Sequence, residues 1–369
     1  MAFEVIVLPG EGIGPEVTAE AVRVFDWFAG HRGLDVNLRL ESHGTAAYAK
    51  HGQVIADEVF ADLLGADAVL FGATGGPAFD ELPEAARKAG GLLRMRRHME
   101  VFANIRPIVA CPELADATTL KADVVDGVDM VILRELNGGI YFGEPRGLER
   151  LDDQTERGVN TLVYETPEIE RIARFAFELA RTRAGHVHSV DKSNVLETHK
   201  LWRKVVSRVG AEDYADVPLS HIIVDNCAMQ IIREPKQFDV ILADNMFGDI
   251  LSDLAGAIVG SLGMLPSASL SAPDAAGRRR ALYEPVHGSA PDIAGRGIAN
   301  PIGAMLSVGL ALSHSLGRDD DAKLLTRAVR RTLGAGIRTP DIRAPNAKAV
   351  STKGMGDAVL RELTRLNGG

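Results

Sequence analysis

Two aspartates on one face of a predicted helix are the residues in this sequence whose spacing most suggests chemistry. The segment NMFGDILSD, residues 245–253, places Asp249 and Asp253 four positions apart at the end of an apolar run, FDVILADN. Residues at i and i+4 lie on the same side of a helix. Phe247, Ile250 and Leu251 predict a buried helix, where an unpaired acidic pair is costly. A bound Mg²⁺ or Mn²⁺ would offset that charge, whereas a solvated helix face is the alternative for an isolated pair.

A third carboxylate strengthens the prediction of a metal site. Asp225 ends the apolar stretch SHIIVDN, and ligand sites of α/β sheets gather at the ends of strands. With Asp249 and Asp253 it would form a divalent-metal site that leaves positions open for a substrate. The alternative role for Asp225 is a helix N-cap before CAMQII, and the two roles are compatible.

Basic and phenolic side chains occur near the ends of other apolar runs. Arg96, Arg106 and Arg134 fall in GLLRMRRHMEVFANIRP and ILRELNGG, and guanidinium groups bind carboxylates bidentately. Beside a metal, they would hold a small di- or tricarboxylate. Lys192 in HSVDKSNV and Tyr141 in GGIYFGEPRG become proton-transfer candidates if the metal and the arginines lower their pKa values. The alternative is an edge lysine and a packed tyrosine.

The elements that must position these residues alternate between strand and helix. The first third of the chain predicts a parallel, Rossmann-like sheet covered by helices. In the centre, VDMVILREL and GGIYFG predict two strands with a hairpin-like connection. The clearest helix spans 167–183, with Thr166 placed to cap it, and two more are expected near 301–316 and 320–335. The first of these helices is predicted to carry one apolar stripe, formed by Ile169, Ile172, Ala173, Ala176, Phe177 and Ala180.

Length and composition limit the class of protein. A chain of 369 residues predicts two domains, and 46% hydrophobic with 25% charged residues is typical of globular proteins. A net charge of −9 argues against binding nucleic acid. The two cysteines are distant in sequence, and the N-terminus predicts a first strand and not a signal peptide. No apolar stretch is long enough to span a bilayer. These features predict a cytoplasmic protein that does not bind membranes.

Two glycine-rich segments are predicted to be binding loops. GEGIGPE lies between the first strand and the first helix, although its G-x-G-x-G spacing is not the dinucleotide fingerprint. YEPVHGSAPDIAGRGIANP, residues 283–301, is too irregular for a strand and too long for a simple turn. Together with FANIRP, RELNGGIYFG, DKSNVLE, NMFGDILSD and MGDAV, these segments resemble the β-decarboxylating dehydrogenases, the isocitrate/isopropylmalate dehydrogenase family, along essentially the whole chain.

The resemblance implies a fold and an assembly. The fold is α/β, with two domains around a large mixed sheet and the central domain inserted into the first. We expect residues 1–102 and 262–369 to form the first, cofactor-binding domain, and residues 103–261 to form the second, dimerisation domain. The family pattern also implies a homodimer in which Lys192 and Asp225 reach into the partner's active site.

The resemblance assigns roles to individual residues. Tyr141 and Lys192 would be the catalytic acid/base pair, and Asp225, Asp249 and Asp253 the metal ligands. The implied substrate contacts are Arg96, Arg106, Arg134, Asp225 and Leu92. The implied contacts to NAD are Ile13, Thr74, Glu284, His287, Gly288, Ser289, Ala290, Pro291, Asp292 and Asn300.

The reaction implied by the resemblance is a metal-assisted, NAD-dependent oxidative decarboxylation. The motifs are most similar to those of members that convert 3-isopropylmalate to 4-methyl-2-oxopentanoate in leucine biosynthesis. However, RKAGGLL carries Lys88 and Ala89 where many such members have a glutamate. Homoisocitrate, tartrate or another 3-substituted malate therefore stay open as substrates, and a non-catalytic regulatory subunit is the alternative of a different class.

Overall fold

The computed structural model describes residues 2–344 and 348–368, and the chain divides into two compact units. The first unit consists of Met1–Val101, Ala110–Asp126 and Gly256–Gly369. The second consists of Phe102–Val109 and Gly127–Ala255. Residues 110–126 and 256–261, which fall within the range expected for the second domain, thus belong to the first unit.

The described residues form helices and strands along most of their length. The strands are β1 (Phe3–Gly10), β2 (Val36–Leu40), β3 (Ala68–Ala73), β4 (Ala103–Val109), β5 (Asp129–Glu135), β6 (Gly143–Arg150), β7 (Glu156–Thr161), β8 (Val187–Asp191), β9 (Leu219–Ile223), β10 (Val240–Ala243), β11 (Pro266–Leu270) and β12 (Ala281–Pro285). The helices are α1 (Gly14–Arg32), α2 (Thr45–His51), α3 (Asp57–Asp62), α4 (Pro77–Asp80), α5 (Glu84–Gly90), α6 (Leu92–His98), α7 (Ala122–Val125), α8 (Thr166–Arg181), α9 (Glu197–Asp213), α10 (Val224–Arg233), α11 (Asn245–Val259), α12 (Ile302–His314), α13 (Asp319–Gly334) and α14 (Thr352–Asn367).

The first unit is built on strands in the order β2-β1-β3-β12-β11. β1 pairs in parallel with β2 and β3, as the alternating first third predicted. β12 is parallel to β3 but antiparallel to β11, so this sheet is mixed. β3, β11 and β12 are buried along their whole length, so both faces of the sheet are covered at these strands.

The core of the first unit joins the early strands to α6. Leu8, Phe71 and Leu282 belong to one cluster of buried side chains with Met95 and Met99 of the α6 segment. Leu92, at the start of α6, packs against this cluster. The helix that carries Arg96 is thus fixed by apolar burial, at roughly 1.5–3 kcal/mol for each large side chain removed from water.

The second unit carries strands in the order β4-β5-β10-β8-β9. β4 is antiparallel to β5, and the other pairs are parallel, which makes this sheet mixed as well. β6 and β7 form a separate antiparallel hairpin. Helices packed on mixed sheets in both units confirm the predicted α/β class.

Two local predictions in the second unit were wrong. GGIYFG is not a strand: residues 139–141 form a short 3₁₀ turn between β5 and β6. The residue that caps α8 is Glu165 and not Thr166, and the Glu168 carboxylate accepts a hydrogen bond from the Glu165 N–H. The apolar stripe predicted for α8 is confirmed, because its members are buried: Ile169, Ile172, Ala173, Ala176, Phe177 and Ala180.

Helices α12 and α13 lie close to the helices predicted at 301–316 and 320–335, and α12 is buried around most of its surface.

Cys111 and Cys227 are both free thiols. Among the described residues, no helix is long and apolar enough to cross a membrane.

Candidate active site

One face of α11 gathers four polar residues. Asn245, Asp249, Ser252 and Asp253 stand at positions i, i+4, i+7 and i+8 of the helix. These intervals place their side chains on one side, and the predicted same-face arrangement of Asp249 and Asp253 is thus confirmed.

Two buried arginines meet Asp249 on this face. Arg134, from the end of β5, donates through Nη1 to Asp249 Oδ1, and Arg106 Nη2 of β4 lies 3.3 Å from the same oxygen. Arg106 Nη1 lies 3.6 Å from Asp253 Oδ1. Arg134 and Arg106 are only 2% and 5% exposed, so their charges require a close anion. The positive charge that the aspartate pair needs is therefore supplied, in this chain, by arginine.

The predicted burial of the aspartate pair was only partly right. Phe247 and Leu251 are buried, but Ile250 is 59% exposed. The Asp249 and Asp253 side chains are 36% and 54% exposed to solvent. Partial burial and the charge of Asp249 nevertheless raise the pKa of Asp253 against the opposing effect of Arg106. The outer surface of α11 thus leaves carboxylate oxygens accessible to a ligand.

Tyr141 belongs to the same group of side chains. Its hydroxyl donates to Asp249 Oδ2 at 3.3 Å, and the Arg134 guanidinium lies 5.7 Å from the centre of its ring. Burial and the negative charge of Asp249 raise the pKa of Tyr141, and Arg134 lowers it only in part. Arg134 alone therefore does not lower this pKa below its ordinary value, and Tyr141 carries its proton at neutral pH.

Lys192 and Asp225 form a second pair in the second unit. Lys192 Nζ lies 2.5 Å from Asp225 Oδ1, and this hydrogen bond lowers the pKa of the carboxyl. Asp225 lies in the first turn of α10, whose N-cap is Ile223, so the alternative role as an N-cap was wrong. The side chain of Asp225 is 68% exposed, which leaves it open to a further ligand.

No group of three metal-binding side chains forms within residues 2–344 and 348–368. Asp249 and Asp253 supply two hard oxygen donors on one face, and Asp225 is paired elsewhere with Lys192. The described residues therefore do not bring the three predicted metal ligands together.

Arg96 and Leu92 lie on α6 in the first unit. Arg96 Nη2 forms an ion pair with Glu284 Oε1 of β12 at 2.5 Å, and both side chains are less than a tenth exposed. The Arg96 Nε atom is buried without a hydrogen-bond partner among the described residues. Leu92 is half-buried and Leu93 is exposed, so both present apolar surface at the start of the helix.

The predicted cofactor-binding loop, residues 287–297, follows β12. The Ser289 carbonyl accepts a hydrogen bond from the Ile13 N–H at 2.9 Å, which brings GEGIGPE to the loop. A Cβ built on Gly76 would lie 3.6 Å from Ser289 Oγ, so the Thr74–Gly76 segment approaches the same place. Three of the predicted cofactor segments therefore meet within the first unit.

Polar atoms near this loop lack partners among the described residues. They are Thr74 Oγ1 and His287 Nε2, both buried. Burial also lowers the pKa of His287, which keeps its ring neutral. Asp292 is exposed and Gly288 is open to solvent, whereas the Asn300 amide donates to Asp341 Oδ2 at 3.0 Å. The unsatisfied atoms fit a polar ligand such as a dinucleotide.

Sequence reasoning missed several polar residues that hold these groups. Asn104 and Ser252 accept hydrogen bonds from Arg106 at 2.8 and 2.6 Å, and Asn245 accepts two from Arg134. All three are fully buried. The one available signal was the spacing of Asn245 and Ser252 on the Asp249 face of α11.

Comparison with known proteins gives a consistent result. The model of the isocitrate/isopropylmalate dehydrogenase family matches residues 4–359. The chain is 56% identical to 3-isopropylmalate dehydrogenase 1 of Bradyrhizobium diazoefficiens, over 99% of this chain and 96% of the relative. It is 52% identical to 3-isopropylmalate dehydrogenase of Gluconobacter oxydans, over 99% of both.

A solved structure agrees with these matches. The crystal structure of isocitrate dehydrogenase from Methylococcus capsulatus matches with a TM-score of 0.85 and 31% identity, over 98% of this chain and 99% of that one. By sequence and by fold, the chain belongs to the isocitrate/isopropylmalate dehydrogenase family.

Proposed function

We propose that this chain is a β-decarboxylating dehydrogenase that converts 3-isopropylmalate to 4-methyl-2-oxopentanoate with NAD⁺ in leucine biosynthesis. Full-length relatives at 52–56% identity bear the name of that enzyme. The observation that carries the proposal is the group formed by Asp249, the two arginines that contact it and Tyr141. It combines acidic metal donors, carboxylate binders and a proton donor, which are the groups that this reaction requires.

Substrate recognition is assigned to the arginines and Leu92. Buried guanidinium groups at Arg106 and Arg134 suit the carboxylates of a malate, because a guanidinium binds a carboxylate through two parallel hydrogen bonds. Arg96 would bind a carboxylate in the same way. Leu92 would contact the isopropyl group, where an apolar side chain favours an alkyl substituent over a third carboxylate.

A divalent metal fits the Asp249 and Asp253 oxygens, because they are hard donors on one half-exposed face. We assign the third carboxylate to Asp225 of a second copy of the chain. A divalent metal held there would supply Lewis-acid polarisation of the substrate oxygens, and NAD⁺ would supply the hydride acceptor. Arg106 and Arg134 then change partner in part, from Asp249 to the substrate.

NAD is assigned to the loop of residues 287–297 and its neighbours. The buried, unsatisfied Thr74 Oγ1 and His287 Nε2 support a polar ligand there. Asp292 would accept hydrogen bonds from the ribose hydroxyls and repel the 2′-phosphate of NADP. The further contacts assigned to the cofactor are Ile13, Glu284, Gly288, Ser289, Ala290, Pro291 and Asn300.

Proton transfer is assigned to Lys192 and Tyr141. Lys192, in its neutral form and released from its contact with Asp225, would accept the proton of the C2 hydroxyl. Tyr141 donates its proton to C3 after CO₂ has left, and its raised pKa keeps that proton in place at neutral pH.

A homodimer follows from the need for a second Asp225. Large apolar side chains are exposed on the second unit, including Met229 of α10 at 50% and Ile250 of α11 at 59%. Apolar surface of this kind on two helices supports an interface that buries them. The cytoplasmic location stays a prediction from the sequence.

The test is a spectrophotometric screen of NADH and NADPH formation. 3-Isopropylmalate, isocitrate, homoisocitrate and tartrate are each supplied with NAD⁺ or NADP⁺ and Mn²⁺. We expect the highest kcat/KM with 3-isopropylmalate and NAD⁺. A higher value with another malate would reassign the substrate within the family, and no reduction with any of them would favour the non-catalytic alternative.

A further inference from the structure

The side chain of Asn245 contacts two parts of the candidate active site at once. It is fully buried at the start of α11. Its Oδ1 accepts hydrogen bonds from Arg134 Nε at 3.1 Å and Nη2 at 2.8 Å. Its Nδ2 donates to the Leu136 carbonyl at 2.9 Å and to the Gly138 carbonyl at 3.1 Å. All four contacts of one amide are thus directed to the substrate-binding arginine and to the loop of residues 136–141.

The orientation of this amide is fixed by the chemistry of its partners. A guanidinium group only donates hydrogen bonds, and a backbone carbonyl only accepts them. Turning the amide over would place its NH₂ group against the donors of Arg134 and its oxygen against two carbonyl oxygens. The amide therefore has one favourable orientation. In that orientation it links the direction of the Arg134 side chain to the path of the loop.

The loop that Asn245 holds ends at Tyr141. Its backbone N–H groups are held from the other side: Asn137 and Gly138 donate to the Glu135 carboxylate at 3.0 and 2.8 Å, and Gly139 donates to the Val163 carbonyl at 3.0 Å. Glu135 is fully buried. The N–H groups are satisfied by Glu135 and Val163, and the Asn245 amide satisfies the buried Leu136 and Gly138 carbonyls.

The backbone of Asn245 makes a further contact, with the tyrosine that packs against the loop. The Asn245 N–H donates to the Tyr164 hydroxyl at 3.0 Å, and that hydroxyl donates to the Glu135 carboxylate at 3.3 Å. The Tyr164 ring lies directly under Gly139, where a Cβ would come within 2.7 Å of the hydroxyl oxygen. Asn245, Tyr164 and Glu135 therefore form one buried frame around the loop.

We propose that Asn245 is a positioning residue, which sets the Arg134 guanidinium and the Tyr141 hydroxyl in one fixed arrangement around the substrate. This inference rests on the proposed function, in which Arg134 binds a substrate carboxylate and Tyr141 protonates C3. A shift of about 1 Å in such groups costs roughly a hundredfold in rate. Asn245 itself does not touch the reacting atoms.

Two variants separate the contacts of the amide. Asn245→Ala removes all four side-chain hydrogen bonds, and Asn245→Asp keeps acceptors for Arg134 but removes both donors to the loop. We expect Asn245→Ala to lower kcat about 30–100-fold and to raise KM for 3-isopropylmalate, with KM for NAD⁺ within twofold of wild type. Asn245→Asp should lower kcat to a similar extent, because the loop is released in both.

A matched control removes the effect of stability alone. Val206→Ala opens a cavity on α9 in the same unit, at a fully buried residue outside the candidate site. We expect it to lower the melting temperature with kcat and KM within twofold of wild type. In a Tyr141→Phe background, Asn245→Ala should lower kcat far less than in wild type, because two residues that act through one step are not additive.

Hydrogen exchange gives a measurement that is independent of turnover. Amides of residues 137–141 should exchange at least tenfold faster in both Asn245 variants than in wild type and in Val206→Ala. A kcat of Asn245→Ala within threefold of wild type, or unchanged exchange in this loop, would overturn the positioning role. If wild type reduces NAD⁺ with none of the malates, the proposed function fails, and exchange still decides the role of Asn245.

Discussion

The two loops of interest are held in different ways. In the loop of residues 136–141, buried side chains satisfy backbone groups directly, through the Glu135 carboxylate and the Asn245 amide. The loop of residues 287–297 is held by two contacts between backbone groups, Ile13 N–H to the Ser289 carbonyl and Thr352 N–H to the Gly297 carbonyl. One exposed side-chain contact adds to them, because the Gly295 N–H donates to the Glu16 carboxylate at 2.5 Å. The first loop is thus fixed before any ligand binds.

This difference matches what each loop is proposed to do. Proton transfer depends on distances of a few tenths of an ångström, so the Tyr141 loop gains from a rigid frame. Cofactor binding needs polar atoms that are free to change partner, and His287 Nε2 has none among the described residues. We therefore expect variants in the first region to affect rate strongly, and variants in the second to affect affinity and selectivity by smaller factors.

The largest effect is expected at Lys192. Lys192→Met should lower kcat at least about 1,000-fold, because it removes the proposed base, while the folded state is kept. The measurement is steady-state NADH formation, with circular dichroism to check the fold. Lys200→Met is the matched control, since Lys200 is an exposed lysine that pairs with Glu197 on α9, and it should retain full activity. Near-normal kcat in Lys192→Met would remove this lysine from the mechanism.

A large effect on stability is expected from pH at His188. Burial and the neighbouring His186 ring lower the pKa of His188 from 6.5 to about 4, although Asp239 opposes this. The unfolded chain therefore binds a proton at this residue below pH 6.5, and the folded chain does so only near pH 4. Stability is complete above pH 6.5 and is lost as pH falls, by about 2.5 kcal/mol at pH 4.5.

The test compares urea unfolding of wild type and His188→Leu at pH 7 and pH 4.5. The loss of unfolding free energy between the two pH values should be about 2.5 kcal/mol smaller in the variant. Histidines other than the adjacent His186 titrate equally in both proteins, so the difference reports His188 together with its interaction with His186. Equal losses would mean that His188 is protonated in the folded state at pH 4.5.

Sequence patterns predicted helices of the second unit because periodicity is a local signal. The helix that bears Asp249 and Asp253 was predicted from spacing alone and is confirmed as α11. The α8 stripe was predicted in the same way. Both depend only on periodicity within one element, which short-range sequence records.

What sequence could not predict depends on distant partners. The motif around Asn245 predicts no role for this residue, because its partners, Arg134 and the Leu136 and Gly138 carbonyls, lie about 110 positions away in the sequence. Ile250 was expected to be buried because it is apolar, yet it is exposed. The sequence around Gly139 predicts a strand although the residue lies in a turn, because a positive φ, here 78°, leaves no periodic signal in the sequence.

Two glycines give a direct comparison of the loops. Gly139 and Gly295 have similar left-handed φ values, 78° and 74°. A Cβ at Gly139 would lie 2.7 Å from the Tyr164 hydroxyl oxygen, whereas a Cβ at Gly295 would meet nothing within 4 Å. Both substitutions by alanine cost about 1 kcal/mol for the backbone conformation, and Gly139→Ala adds roughly 1–2 kcal/mol of overpacking.

We therefore expect Gly139→Ala to lower the unfolding free energy by about 2–3 kcal/mol and Gly295→Ala by about 1 kcal/mol. Only Gly139→Ala should also lower kcat, because the displaced turn carries Tyr141. Urea unfolding and steady-state kinetics measure both effects. Equal losses of stability would mean that the Tyr164 frame yields easily, and the proposed contrast between the two loops would not hold.

The smallest effect is expected at Asp292, in the loop of residues 287–297. This carboxylate is exposed, so water screens its repulsion of a 2′-phosphate to about 1 kcal/mol at 4 Å. Asp292→Ala should lower the ratio of kcat/KM for NAD⁺ to that for NADP⁺ roughly tenfold, through lost ribose hydrogen bonds and lost repulsion. Asp320→Ala, on an exposed carboxylate of α13, is the control. An unchanged ratio in Asp292→Ala would assign cofactor selectivity to another residue, whereas a thousandfold change would mean that this loop is as rigidly organised as the Tyr141 loop.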